Sequence, residues 1–117
     1  MASLQAIDSY CNKILACDTY HDYAPNGLQI EGRSEVRCLV TGVTASQALI
    51  DAAIEKQADL VLVHHGLFWK GESSVITGIK RQRIGALLSN NISLMAFHLP
   101  LDGHPHYGNN VQLGRLW

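Results

Sequence analysis

The residues Asp59 to Glu72, DLVLVHHGLFWKGE, constrain the fold of this chain more than any other stretch. Four apolar residues, Leu60 to Val63, run directly into two adjacent histidines, His64 and His65, and Gly66 then opens a loop carrying Phe68, Trp69, Lys70 and Glu72. A short apolar run rich in β-branched residues and bounded by polar residues reads as a strand covered on both faces. In open parallel sheets, ligands collect beyond the carboxyl ends of such strands. The two histidines therefore stand where α/β proteins keep their chemistry.

The flanking sequence supplies the layers that such a strand needs. Ser3 is a helix cap, and Leu4, Ile7, Cys11, Ile14 and Leu15 recur at helical spacing, which predicts an amphipathic helix over 4–16. From Asp18 to Gly32 the pattern breaks at Pro25, Asn26 and Gly27, and Leu28 to Ile30 is expected to form a short edge strand. Val36 to Val43 reads as a central strand. Thr44 or Ser46 then caps a helix to about Gln57, with Ala48, Leu49, Ala52, Ala53 and Ile54 towards the sheet. A second helix is expected over 80–90, with Ile84, Leu87 and Leu88 as its stripe and Asn91 as its stop, and Ile92 to Leu99 as a third buried strand. Strand, helix, strand, helix, strand makes an α/β domain whose parallel sheet has at least three strands and right-handed crossovers.

Asn109 to Trp117 opens a further helix whose apolar face has barely begun at Trp117. The 117 residues accordingly read as a single α/β domain, 1–117, forming the amino-terminal part of a longer chain or presenting a face that another subunit covers. The charged content of 16% is below the usual quarter and favours an oligomer. A net charge of −1, with no basic run beyond Lys80, Arg81 and Arg83, offers little electrostatic basis for gripping duplex DNA. No apolar stretch approaches the roughly twenty residues that span a bilayer, and the amino terminus lacks a signal pattern, which points to the cytoplasm. Cys11, Cys17 and Cys38 show no CxxC spacing and read as reduced, buried thiols.

Adjacent histidines in a regular strand face opposite ways, so they converge only if the backbone turns beside Gly66. The next strand ends in His98 and Asp102 at the same sheet edge. His64, His65 and Asp102 are the expected metal ligands. Imidazole suits zinc, iron, nickel or copper, and the carboxylate widens the choice towards manganese. His98 is a ligand, a proton carrier or an outer partner. His104 and His106 flank Pro105 and read as exposed rather than coordinating, and His21 lies in a loop without a pattern. Phe68 and Trp69 wall a pocket or an interface, while the spacing of Lys70 and Glu72 assigns them nothing. Ligands with an open position fit a metal that activates water, so the implied chemistry is hydrolytic, or redox if the metal is iron.

The segments NGLQIEG (Asn26 to Gly32), VTGVTAS (Val40 to Ser46), VHHGLFWKGE (Val63 to Glu72), HLPLD (His98 to Asp102) and GNN (Gly108 to Asn110) together resemble the Nif-three-like family, whose members are often called GTP cyclohydrolase I type 2 homologues. The resemblance covers nearly the whole chain and is nearest to the short bacterial members. It implies half of a toroid-forming α/β fold, a homohexamer, and two divalent metal ions per subunit, whether zinc, iron, manganese or nickel. By position, His64 and His65 would bind different ions and Asp102 would complete one of them. The family's remaining ligands, a histidine and a glutamate, lie beyond the part matched here. The expected function is a metal-dependent hydrolase acting on a small nucleotide-like substrate, with His98 assisting proton transfer. The alternative is a non-enzymatic metal-binding assembly, carrier or regulatory interaction protein.

Overall fold

Apolar residues alternating across two neighbouring strands hold the structure together. In the computed structural model, which describes residues 1–117, the chain runs β1 (Ala2–Ser3), α1 (Leu4–Ile14), β2 (Gly27–Ile30), β3 (Glu35–Val36), β4 (Leu39–Thr41), α2 (Gln47–Glu55), β5 (Leu60–Val63), α3 (Gly78–Ser89), β6 (Ser93–Ala96), α4 (Leu99–Gly103) and α5 (Asn109–Leu116). The main sheet has the order β2-β6-β5-β4. Strands β4, β5 and β6 are parallel, and β2 pairs antiparallel with β6 at one edge. The fold is thus α/β with a parallel βαβαβ core, and Leu28 to Ile30 supply the edge strand.

Successive residues of a strand face opposite ways. Val61, Val63, Leu94 and Ala96 pack with Ile50 and Ala53 of α2 and Ile84 and Leu87 of α3. Alternating with them, Leu60, Met95 and, just past the end of β6, Phe97 pack on the other side with Leu4 and Leu15 of the α1 segment. A strand covered on both faces has no polar side to present, which is why LVLV and SLMAF are continuous runs. The one polar residue within them, Ser93, is buried with its Oγ accepting the Gly32 N–H at 2.8 Å. Ser3 caps α1 by accepting the Ala6 N–H at 3.0 Å, and Ser46 caps α2 by accepting the Leu49 N–H at 3.2 Å.

The structure departs from the sequence expectation in three places. The run from Val36 to Val43 is two strands, because the Asp59 carboxylate takes the N–H groups of Arg37 and Cys38, at 2.9 and 3.0 Å, out of the ladder. β3 then pairs antiparallel with β1 in a separate sheet. Helix α2 is rotated from the expected face: Ile50 and Ala53 are buried while Ala48 and Ala52 are exposed, since the larger Ile50 fills the sheet contact better than an alanine. The third strand stops at Ala96, and Pro100 sits in the first turn of α4, so Asp102 is carried on a helix. No helix is long and apolar enough to cross a membrane.

Two substitutions test this packing. Leu87→Ala empties a fully buried position and is expected to cost about 2–5 kcal/mol in urea unfolding. Asp59 is held below the ordinary carboxylate value of 3.8, chiefly by the Arg37 and Cys38 N–H groups. Its contribution is therefore fully present above 3.8 and is lost as the pH falls through the lower folded value. Asp59→Asn should unfold more easily near neutral pH and show a shallower loss of stability in acid, measured as denaturation midpoints across pH.

Candidate metal centre

β5 ends at Val63, and the next two residues carry the chemistry. The N–H groups of His64 and His65 both donate to the carbonyl of Val43, at 3.0 and 2.8 Å. Both donors share one acceptor where the strand ends, and Thr44 still pairs with His65 in the register of the ladder. The two imidazoles lie close together, with centroids 4.5 Å apart. Gly66 follows because the Gln29 side chain occupies the space a Cβ would need. Gln29 Oε1 accepts the Leu67 N–H at 3.0 Å and holds the turn closed.

The neighbouring strand delivers a third ring. Parallel pairing sets Val63 beside Ala96, so the chain leaves β6 next to the point where it leaves β5. The His98 centroid lies 5.2 Å from His64 and 5.5 Å from His65. One ring nitrogen from each of His64, His65 and His98 lies within 4.8 Å of the others.

Each ring is oriented from behind. His64 Nδ1 is 2.8 Å from the Phe97 carbonyl oxygen. A carbonyl only accepts, so Nδ1 carries the proton and the lone pair of the neutral ring is on Nε2. His98 Nδ1 stands 2.8 Å from Asp22 Oδ1, which selects the same tautomer, and His65 Nδ1 lies 3.4 Å from Thr44 Oγ1. The pKa of His65 is lowered, by burial first and then by the neighbouring His64 and His98, against a smaller pull from Asp102. The ring is thereby kept in the neutral form that binds metal.

Asp22 anchors His98. Its side chain is only 3% exposed, and besides the imidazole it accepts the Tyr23 N–H at 2.6 Å, the Leu99 N–H at 2.9 Å and Asn26 Nδ2 at 3.0 Å. Burial alone would raise its pKa; the bonds from His98, Asn26, Leu99 and Tyr23 outweigh that and hold it at about 2. Asn26 Oδ1 in turn accepts the His98 N–H at 2.7 Å. Sequence reading missed both residues. The contact spans 76 positions, and the only local signal was the Asn-Gly turn, which points to a bend and not to a partner.

Asp102 lies against His64, with Oδ1 3.3 Å from Nε2, and it accepts Asn109 Nδ2 at 2.9 Å. With Nδ1 protonated, a nitrogen lone pair and a carboxylate oxygen then stand side by side, an arrangement that calls for a proton or a cation between them. The donor set of imidazoles backed by a carbonyl and a carboxylate is also the pattern of ligands held by outer partners. The residues present therefore fit a divalent ion. Trp69 walls the cluster, its centroid 5.0 Å edge-on from His98 and 5.9 Å from His65.

The other histidines lie apart from this cluster. His104 Nδ1 accepts the N–H groups of His106 and Tyr107, at 3.1 and 2.9 Å, and so closes the turn before α5, while His106 and His21 are exposed. The three cysteines are free and half-buried, and burial pushes Cys17 up to about 11.

Comparison with known proteins agrees with the fold. A GTP cyclohydrolase 1 type 2 homolog of Pseudomonas aeruginosa is 57% identical over 113 residues, which is 97% of this chain and 45% of that protein. A solved structure described as protein ybgI, of unknown function, superposes with a TM-score of 0.96 at 54% identity, covering 98% of this chain and 47% of the other. TTHA1606 from Thermus thermophilus superposes with a TM-score of 0.90 at 38% identity, covering 97% of this chain and 47% of the other. The chain thus spans less than half the length of the relatives it matches. The family model Duf34/NIF3 (NGG1p interacting factor 3) matches residues 2–116, and the chain belongs to that family.

Proposed function

We propose that this chain carries the metal-binding part of a hydrolase that acts on a small nucleotide-like molecule, the reading that the name of its GTP cyclohydrolase 1 type 2 relatives suggests. The observation that supports it is the set of three imidazole nitrogens within 4.8 Å of one another, two of them with Nδ1 tied to a fixed acceptor. His64, His65 and His98 would hold an ion, with Asp102 beside His64; the second ion of a dinuclear centre would draw on ligands outside these residues. A bound divalent ion supplies the Lewis acidity that activates water and polarises a substrate oxygen.

The chain's own residues do the rest. The Phe97 carbonyl and the Asp22 carboxylate keep the Nδ1 protons of His64 and His98 in place, which leaves both Nε2 atoms as donors. Where His64, His65 and Asp102 suffice as ligands, His98 Nε2 is free to take a proton, and the ionised Asp22 stabilises the imidazolium that results. Trp69 excludes water from one side of the rings.

The second reading is a metal-binding assembly or carrier that self-associates, as a homohexamer in the form the resemblance implies. It is favoured by exposed apolar side chains along the β4 edge: Leu39 is 48% exposed and Val43 66%.

Native mass spectrometry of the chain incubated with zinc, manganese or iron(II) tests the shared premise. Wild type is expected to retain metal and His64→Ala to lose it; equal retention would overturn both readings. Asp22→Asn is expected to weaken metal affinity about 10- to 100-fold while the circular dichroism spectrum is unchanged. Release of product from nucleotides by the metal-loaded wild type, absent in His64→Ala, separates the hydrolase from the carrier.

A further inference from the structure

Two residues of the FWKGE run, Trp69 and Glu72, help to wall a small cavity apart from the histidines. It measures about 200 Å³ and lies between the loop after β5 and helix α3, with Trp69, Glu72, Lys80 and Arg83 in its wall. The Lys80 side chain is only 15% exposed; Nζ donates to the Ser73 carbonyl at 3.1 Å and stands 4.9 Å over the Phe68 ring. Glu72 is already engaged: Oε2 accepts the Trp69 N–H at 3.0 Å, and Oε1 lies 3.9 Å from Lys80 Nζ. Arg83 is different. Its Nε is buried and has no hydrogen-bond partner. A buried donor on a permanently charged group is costly to leave unpaired, and two cations against one carboxylate leave the wall with an excess positive charge.

We propose that this cavity binds a phosphate group of the small molecule on which the histidine cluster acts. An oxyanion there supplies the acceptor that Arg83 Nε lacks and neutralises the excess charge. The guanidinium fork matches phosphate oxygens, and Lys80 adds a point charge beside it. Trp69 joins the two sites, because the same indole that lines the cavity lies edge-on 5.0 Å from the His98 ring. A phosphate seated on Arg83 and Lys80 therefore sets the remainder of its molecule beside Trp69, next to the imidazoles. The identity of that molecule rests on the hydrolase reading; the binding of phosphate needs no metal.

The experiment is a titration of the chelator-treated chain with inorganic phosphate, with acetate as the carboxylate counterpart, followed by the Arg83 Nε–H and Trp69 indole N–H signals in 1H–15N NMR. Phosphate is expected to shift both signals saturably, and acetate to do so only weakly. Arg83→Gln should weaken phosphate binding about tenfold or more, the loss of a charge-assisted hydrogen bond. Glu72→Gln, whose amide oxygen still accepts the Trp69 N–H, should strengthen it, an effect that a purely structural role for Glu72 would not produce. Absence of a saturable shift, preference for acetate, or unchanged affinity in Arg83→Gln overturns the proposal. Metal retention, measured separately on the chain reloaded with zinc, manganese or iron(II), separates the two readings: phosphate binding without metal binding removes the hydrolase reading and keeps the anion site, and the reverse result does the opposite.

Discussion

The parallel pairing of β5 with β6 is the constraint from which the rest of the structure follows. Register places Leu60 beside Ser93 and Val63 beside Ala96, so both strands run in the same direction and end together. Parallel strands need a crossover, and α3 supplies it across the face on which Ile84 and Leu87 meet Val61, Val63, Leu94 and Ala96. The opposite face is closed by α1 through Leu4 and Leu15. With both faces dry, polar residues are excluded from the strands and accumulate where the strands stop, and there His64, His65 and His98 meet.

Convergence alone would leave three mobile rings. What turns it into a donor set is a group of acceptors drawn from elsewhere in the chain: the Phe97 carbonyl behind His64, Thr44 Oγ1 behind His65 and Asp22 behind His98. Asp22 is the most heavily used, since one carboxylate holds a ring, a side-chain amide and two backbone N–H groups. A buried anion is tolerable only with this many donors, and the same donors fix the loop that carries it. The Tyr23 carbonyl then accepts the Lys70 N–H at 2.5 Å, so the loop before β2 and the loop after β5 support one another.

The loop after β5 consequently serves two surfaces. On one side Trp69 closes the imidazole cluster; on the other, Trp69, Glu72, Lys80 and Arg83 wall a cationic cavity. A substrate with a phosphate at one end and a reactive group at the other would span the indole, and this geometry gives the FWKGE motif a reason to follow directly on the histidines.

Much of this was legible in the amino-acid order. The two-faced apolar runs, the caps at Ser3 and Ser46, and the histidines at a strand end are local patterns, because the periodicity of a strand or helix and the needs of its termini are satisfied within a few residues. Contacts across long separations were not legible. Asp59 splitting the strand after Val36, Asp22 behind His98, and Arg83 beside Trp69 each join residues whose proximity depends on how the layers pack. The sequence by itself determined the α/β class and the edge at which the chemistry collects; only the tertiary structure decided which nitrogens face one another, because ring orientation is set by hydrogen bonds from segments that the chain brings together after its strands have paired.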